Sequence, residues 1–390
     1  MTDIEIRTIK GQRDRETFLT FPWRIYHNDP LWVPPILAER RKAIDPQRGV
    51  FFQRGEAECF IAWRGIQPVG TICCAEDKAA HETTPWKDGL FGFFECVNDP
   101  SIAHALIDHA AAWARQRGLD AINGPFNLDY EDAYGILIEG RDRPPAVYCG
   151  HTPAYYQAFF EDYGFELGRA DNLAFAIDID PSNPHQQRLQ RLADKVRQRG
   201  HFRVRGANLA DWDNEIERIL DLLNRSLAHL GGFIPWRRDT LTELLEPFRK
   251  IADPELVLFA EKMDGEAVGW LPGIPNLNEA LIHANGLRYP WNYIPLFWYM
   301  RRQPACLAIK SVLVPPEYWD TGAAVLMFAE MGTRAAARGY RWADLSLTSI
   351  DNPRTPILAN HMGAVLYKRY RTYRKWLVPR SESAPLVEII

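Results

Sequence analysis

Cys59-Phe60-Ile61-Ala62-Trp63 runs into Arg64-Gly65 and then into Pro68-Val69-Gly70-Thr71-Ile72-Cys73. In the second half of the chain Leu256-Val257-Leu258-Phe259-Ala260 runs into Asp264-Gly265 and then into Ala267-Val268-Gly269-Trp270-Leu271. Each stretch is two β-rich runs joined by a short turn containing glycine, the pattern of a hairpin. The same hairpin met twice at half-chain spacing points to an internal duplication.

The elements after each hairpin repeat in the same order. The apolar run Leu90–Val97 predicts a strand, followed by a helix from Pro100 to Arg117 and a stop at Gly118, a natural residue to end a helix after Arg115 and Arg117. The strand Asp120–Asn123 follows. In the second half Ser311-Val312-Leu313-Val314 predicts the matching strand, with a helix from about Thr321 to Arg338, a stop at Gly339, and the strand Trp342–Leu347. Both halves close with a short helix ended by glycine, Tyr155–Tyr163 before Gly164-Phe165 and Pro356–Met362 before Gly363-Ala364, and then with two strands. A polar, basic helical segment from Gln186 to Arg199, introduced by Pro181-Ser182-Asn183-Pro184, separates the halves. The expected organisation is an N-terminal domain over 1–180, a linker helix over 181–200 and a C-terminal domain over 201–390. Two insertions break the symmetry, residues 124–152 in the first half and 270–304 in the second. Loops on a rigid scaffold are where function collects.

Composition narrows the class. The chain has 390 residues, 46% hydrophobic and 25% charged, as expected of a globular protein in two or more domains. A net charge of −4 lacks the electrostatic footprint of a general nucleic-acid binder. No apolar run is long enough for a transmembrane helix. The N-terminus, Met1-Thr2-Asp3-Ile4-Glu5, has no basic start or apolar core of a signal peptide. The six cysteines, at 59, 73, 74, 96, 149 and 306, include no Cys-x-x-Cys pair and read as reduced, mostly buried thiols of a cytoplasmic protein. Neither a Walker A loop, a Gly-x-Ser-x-Gly elbow nor a dinucleotide fingerprint occurs. The ten histidines lack metal-ligand spacing, so no catalytic metal is expected.

The element order in each half resembles the Gcn5-related N-acetyltransferase (GNAT) fold, here in tandem, an arrangement also found in FemX-like aminoacyl transferases and N-myristoyltransferase. The resemblance implies a mixed α/β architecture of two GNAT-like domains. A narrower resemblance, to a bacterial group of uncharacterised GNAT-like proteins, rests on Tyr26–Pro35 (YHNDPLWVPP), on Asn123-Gly124-Pro125-Phe126-Asn127, on Gly135–Gly140 with Pro144-Pro145, and on Pro153-Ala154-Tyr155-Tyr156. Some proteins like these are encoded beside bacterial sphingolipid enzymes, which adds acylation of a lipid amine to the expectations.

The resemblance implies an N-acyltransferase that takes acyl-CoA or acetyl-CoA as co-substrate, with a small-molecule or lipid amine as acceptor. Such a reaction needs helix N-terminal amides for the pyrophosphate, a backbone donor for the oxyanion, and groups that move a proton from the amine and to the thiolate. The family's pyrophosphate motif, Gln/Arg-x-x-Gly-x-Gly/Ala, is matched in part by Trp319-Asp320-Thr321-Gly322-Ala323-Ala324, with Trp319 at the position of the Gln or Arg. Trp319, Thr321, Gly322, Ala323 and Ala324 are therefore the expected CoA contacts, together with Val312 and Val314 on the central strand and Asn352 beyond the strand that follows. Close packing of helix on sheet is the other reading of Gly322. The matching place in the first half, Val97–Ala103, has no glycine and carries Asp99, which reads as an N-cap with Pro100 at the first helical position. That favours the second half for CoA.

The acid of many GNAT enzymes is a tyrosine four residues before the Gly-Phe of the last helix, and here Phe160 and Ala359 occupy those places. Tyr155 and Tyr156 are the substitutes in the first half, with Tyr367, Tyr370 and Tyr373 on the last strands. His361 and His151 are the candidate bases, beside Asp351 and Glu131. Asn123 and the polar residues Asn127, Asp129, Tyr130, Glu131, Asp132 and Tyr134 of the first insertion are expected to orient an acceptor, unless they form only an acidic surface loop. The run from Leu287 to Arg302 within the second insertion reads as a half-buried helix covering the second sheet, or as the wall of an acyl-chain groove or a membrane contact. A FemX-like aminoacyl transferase, a degenerate binding protein, and a homodimer all remain compatible with the sequence.

Overall fold

The computed structural model describes residues 3–82, 86–128, 134–229, 235–249, 251–352 and 355–379, with the Pro247 side chain excepted. Asp129, Tyr130, Glu131 and Asp132 lie outside them. The first half lays down β1 (Ile4–Thr8), β2 (Gly55–Arg64), β3 (Gln67–Asp77), β4 (Asp88–Cys96), β5 (Ala121–Gly124), β6 (Ile136–Glu139), β7 (Glu166–Leu167) and β8 (Asn172–Asp178). The second half lays down β9 (Phe202–Gly206), β10 (Val257–Lys262), β11 (Ala267–Pro275), β12 (Cys306–Ile309), β13 (Trp342–Ser349), β14 (Val365–Arg371) and β15 (Tyr373–Trp376). The quoted hairpins are β2–β3 and β10–β11, both antiparallel.

The chain forms two compact units that interleave in sequence. Among the described residues, the first gathers those of 3–172, 278–299 and 368–379, and the second those of 173–277 and 300–367. The first sheet runs β1-β2-β3-β4-β5-β15-β7, and the second unit carries β14-β8-β13-β12-β11-β10-β9. Each half thus sends its last strand, β8 or β15, into the sheet of the other. The strand β14 changes unit at Lys368, and beyond it pairs with β6.

In the first unit the core packs the helix Pro100–Gln116 onto β2–β5, with Ile102, Leu106, Ile107, Ala110 and Ala114 fully buried. Asp99 caps this helix, its side chain accepting from the Ser101 amide at 3.0 Å. In the second unit the helix Ala323–Ala337 does the same through Met327 and Met331. The helix Pro184–Arg199 packs within this unit against it, where Gln190 Nε2 donates to the Ala329 carbonyl at 2.8 Å.

Two expectations need correction. The central strand of the second unit begins earlier than Ser311: the regular ladder is Cys306–Ile309, and only Leu313 of the quoted run forms a bridge, to Trp270. The helix of the second insertion, Tyr293–Met300, groups through Tyr299 with the first unit and not with the second, and none of its residues is buried. All six cysteines are buried. No helix among the described residues is long and apolar enough to cross a membrane.

Candidate active site

In both units the central parallel pair parts partway along its length. In the first, β4 and β5 pair at Asp88–Ala121, Gly89–Ile122 and Leu90–Asn123, and β4 then runs on to Cys96 without β5. The register slip against β3 and the positive φ of Phe93 (46°) mark a bulge that bends β4 just past the parting. In the second, β12 and β13 pair from Cys306–Trp342 to Ile309–Leu345, after which the chain continues through Lys310 to Leu313 while β13 continues to Ser349.

The edges exposed by the two partings are treated differently. In the first, the molecule's own groups fill it. The Phe91 carbonyl accepts from the Phe126 amide at 2.7 Å, and the Phe93 amide donates to Asn127 Oδ1 at 2.8 Å. The Cys96 amide donates to the Tyr156 hydroxyl at 2.8 Å, and its carbonyl accepts from the Tyr155 hydroxyl at 2.9 Å. The Gly124–Pro125 turn lies so close that a Cβ on Gly92 would stand 1.6 Å from the Phe126 carbonyl oxygen. In the second, Leu313 turns both backbone groups to Trp270, so those of Val312 and Val314 point the other way, into the parting. The Val314 carbonyl accepts from Trp319 Nε1 at 2.7 Å. The backbone groups of Val312 have no partner among the described residues, and Val312 is 39% exposed.

A buried polar cluster lies beside the second parting. Asp344, on β13, is fully buried and accepts from Lys310 Nζ at 2.6 Å, from Ser346 Oγ at 2.5 Å and from the Tyr367 hydroxyl at 2.6 Å. Lys310 also donates to Ser346 Oγ at 2.6 Å. Ala343 and Leu345 pack into the core beneath the helix Ala323–Ala337, so the alternate residues Asp344 and Ser346 face the opposite side of the sheet. Three donors satisfy a carboxylate that burial alone would make costly. Lys310 is the member that keeps some exposure, 16% of its side chain.

The first parting carries its own acid. Glu95 on β4 accepts from the Tyr156 hydroxyl at 2.7 Å and from that of Tyr26 at 3.4 Å. Burial raises its carboxyl to about 7, against the lowering effect of the two hydroxyl donors. Tyr26 stacks on Trp32 at 4.8 Å. Nearby, His151 Nε2 meets Asp29 Oδ2 at 2.7 Å while its buried Nδ1 has no partner among the described residues. Desolvation pulls the His151 imidazole below its usual range. The Tyr-His-Asn-Asp-Pro string therefore serves this cluster, supplying Tyr26 and Asp29.

The expected residues fall into place as follows. Tyr155 and Tyr156 fill the first edge, and both hydroxyls are pushed up by burial. Asn123 stands at the last pair before the first parting, where its amide donates to Asp88 at 3.3 Å and its buried Oδ1 has no partner among the described residues. Gly322 has φ +92° and precedes the helix Ala323–Ala337 as its N-cap, with no side-chain cap. A Cβ there would sit 2.6 Å from Val196, so the packing reading of this glycine has its own physical basis. Ala323 is fully buried, Thr321 donates to the Tyr318 carbonyl at 2.6 Å, and Asn352 accepts from the Thr355 amide at 3.0 Å, next to the helix Thr355–His361. His361 is exposed at the end of that helix, where its carbonyl meets His185 Nδ1 at 3.3 Å. Asp351 is exposed. Phe160 and Ala359 are core residues. Lys310, Asp344, Ser346 and Glu95 were missed by the sequence reading. An acidic residue inside an apolar strand, as in Phe93-Phe94-Glu95-Cys96 or Trp342-Ala343-Asp344-Leu345, is the signal that marks two of them.

Two sheets parted at their central pair, each with a long helix following the first strand of that pair, define the class: the chain has the tandem GNAT-like fold. Among solved structures it is similar to a tandem GNAT protein from the clavulanic acid biosynthesis pathway, with TM-score 0.57 and 12% identity over 97% of this chain and 100% of that one. It is also similar to a GCN5-related N-acetyltransferase from Sphaerobacter thermophilus, with TM-score 0.52 and 13% identity over 98% of each chain. By sequence it is 29% identical over 385 residues to the bacterial ceramide synthase of Caulobacter vibrioides (strain NA1000 / CB15N), covering 96% of this chain and 98% of the relative. It is 26% identical over 379 residues to the protein YghO of Escherichia coli (strain K12), covering 95% of each. No family model matches the chain.

Proposed function

We propose that the protein is an acyl-CoA-dependent N-acyltransferase whose acceptor is the primary amine of a lipid of the sphingoid-base type. The observation that carries this reading is the second parting, with an unpaired strand edge at Val312 beside the buried set Lys310, Asp344, Ser346 and Tyr367. The likeness to a bacterial ceramide synthase along nearly the whole chain supports the choice of acceptor.

The thioester arm of the co-substrate takes the place of the missing strand partner. Its amide groups pair with Val312, and its pyrophosphate meets the first amides of the helix Ala323–Ala337, which have no acceptor within the helix. The amine attacks the thioester carbonyl, a C–N bond forms and the C–S bond breaks. The amine gives up one proton and the departing thiolate takes one. Asp344 holds Lys310 and Tyr367 in place as the donors facing the developing negative charge.

Thermal denaturation with a series of acyl-CoAs tests the reading, because a ligand that binds the native state raises the Tm. Val312→Pro removes an amide that has no partner among the described residues, so the unliganded Tm should hold while the acyl-CoA shift is lost. Tyr155→Phe, in the first parting, should leave the shift intact. The reverse pattern would move the CoA site to the first unit. The acceptor is tested by product formation from a long-chain amino alcohol and palmitoyl-CoA, and failure with every lipid amine while small amines react would refute the lipid half of the proposal.

A further inference from the structure

The segment Asn278–Tyr299 belongs to the first unit and is tied to the rest of it at Asn278, whose side-chain amide donates to the Pro145 carbonyl at 3.0 Å, and at Asn285 and Arg288. Trp23 Nε1 donates to Asn285 Oδ1 at 2.6 Å and the Arg288 guanidinium lies 5.9 Å from the Trp23 ring centre, while within the segment the Tyr299 ring stacks on His283 at 3.7 Å. The helix Tyr293–Met300 that closes it, YIPLFWYM, has no charged residue. Its exposed side chains are Tyr293 (44%), Ile294 (72%), Phe297 (61%), Trp298 (53%) and Met300 (46%), joined by Trp291 (62%) one turn earlier. Spacings of one, three, four and seven residues put the five helical ones on one face, while Pro295, Leu296 and Tyr299 take the other and are less exposed. Large apolar side chains contiguous in space are not left in water without a role.

We infer that this face docks on an anionic lipid bilayer. The chain runs from the helix directly into Arg301-Arg302, both exposed, so cations stand at the end of an apolar, Trp- and Tyr-rich face. That combination is complementary to a bilayer surface, where aromatic rings settle at the headgroup level and arginines meet phosphates. With 8 residues the helix is far too short to span a membrane, and it lies in the plane of the interface. The inference holds whether the amine acceptor is a lipid or a small molecule, because it rests on the surface and not on the chemistry of the partings.

The test is co-flotation of the full chain with vesicles of phosphatidylcholine mixed with phosphatidylglycerol, and with vesicles of phosphatidylcholine alone. The expected result is binding to the mixed vesicles that weakens with added salt, and much weaker binding to the neutral ones. Ile294→Asp with Phe297→Asp should lower the bound-to-free ratio by about tenfold or more. Arg301→Glu with Arg302→Glu should lower it on the order of tenfold for the mixed vesicles only. Both pairs are at exposed positions, and circular dichroism with an unchanged Tm checks that they fold. Absence of binding to the mixed vesicles, or equal binding by the apolar pair, would overturn the inference. So would a wild-type dimer that the apolar pair converts to a monomer without any vesicle binding, which would give the face to a second copy of the chain.

Discussion

Glu95 shows how one buried side chain sets a pH dependence. Its carboxyl is raised to about 7 by burial, so the folded protein keeps a proton that the unfolded chain releases near the ordinary glutamate value. The native state binds more protons in that window, so stability falls as pH rises from about 4.5 to 7, by about 3 kcal/mol. In Glu95→Gln the side chain has nothing to ionise. Denaturant titrations at pH 5 and pH 8 should show the wild type losing stability relative to this variant as the pH increases, and an unchanged difference would mean that Glu95 is solvated. Asp344 is a fully buried carboxyl group that accepts from three donors. Asp344→Asn keeps the shape but leaves Lys310 without its counter-charge, and should cost about 3 kcal/mol or more in unfolding measurements. Tyr367→Phe removes one of those donors, and under the proposed chemistry it should lower kcat by about a hundredfold with little change in KM for the acyl-CoA. An unchanged kcat would reduce Tyr367 to a packing residue.

Among the elements, the two long helices after the partings begin in opposite ways. The helix Pro100–Gln116 is closed by the Asp99 cap, whose carboxylate also meets Arg64 at 2.6 Å. The helix Ala323–Ala337 opens on a left-handed glycine with no side-chain cap. Asp99→Ala should therefore lower stability by about 1 kcal/mol. The Ser101 and Arg64 partners hold the Asp99 carboxyl below its usual range, so this difference should fade in acid as the carboxyl is protonated. Comparison of the two proteins at neutral pH and near pH 3 in urea checks both statements. Gly92 tests the first parting itself. A methyl there meets the Phe126 carbonyl, a backbone atom that cannot swing aside, and Gly92→Ala should cost about 3 kcal/mol in the same assay.

At the scale of the whole molecule, the exchange of β8 and β15 makes the two units depend on one chain. Residues 1–180 carry β8, which belongs to the second sheet, and lack β15, which belongs between β5 and β7 of the first. A fragment of those residues exposes an unpaired strand and leaves a gap in its own sheet, a combination that favours aggregation. Fragments 1–180 and 181–390 should be insoluble when expressed separately and recover a folded, associated pair when expressed together, as read by gel filtration and circular dichroism. A soluble, cooperatively unfolding fragment 1–180 would contradict the exchange.

The local elements were legible because they rest on short-range physics. The two hairpins announce themselves by β-rich runs around glycine turns, the Asp99-Pro100 start and Gly118 stop bracket a helix, and the half-chain repeat follows from their order. The glycine turn at Gly322 before the helix Ala323–Ala337 was legible for the same reason, since a glycine before a helix is a local signal. The partings, the exchanged strands and the grouping of Lys310, Asp344, Ser346 and Tyr367 were not. Whether β4 keeps its neighbour beyond Leu90, which strand fills the place beside β5, and which side chains share the far face of β13 are long-range outcomes of pairing and burial. No spacing in the chain encodes the contact of Tyr367 with Asp344, 23 residues apart. The chain by itself determined the elements and their duplication, through turn chemistry and hydrophobic periodicity. Tertiary structure alone decided which strand edge was left open and which was filled by its own tyrosines, because that choice depends on what each backbone hydrogen-bonding group finds within reach once the sheets close.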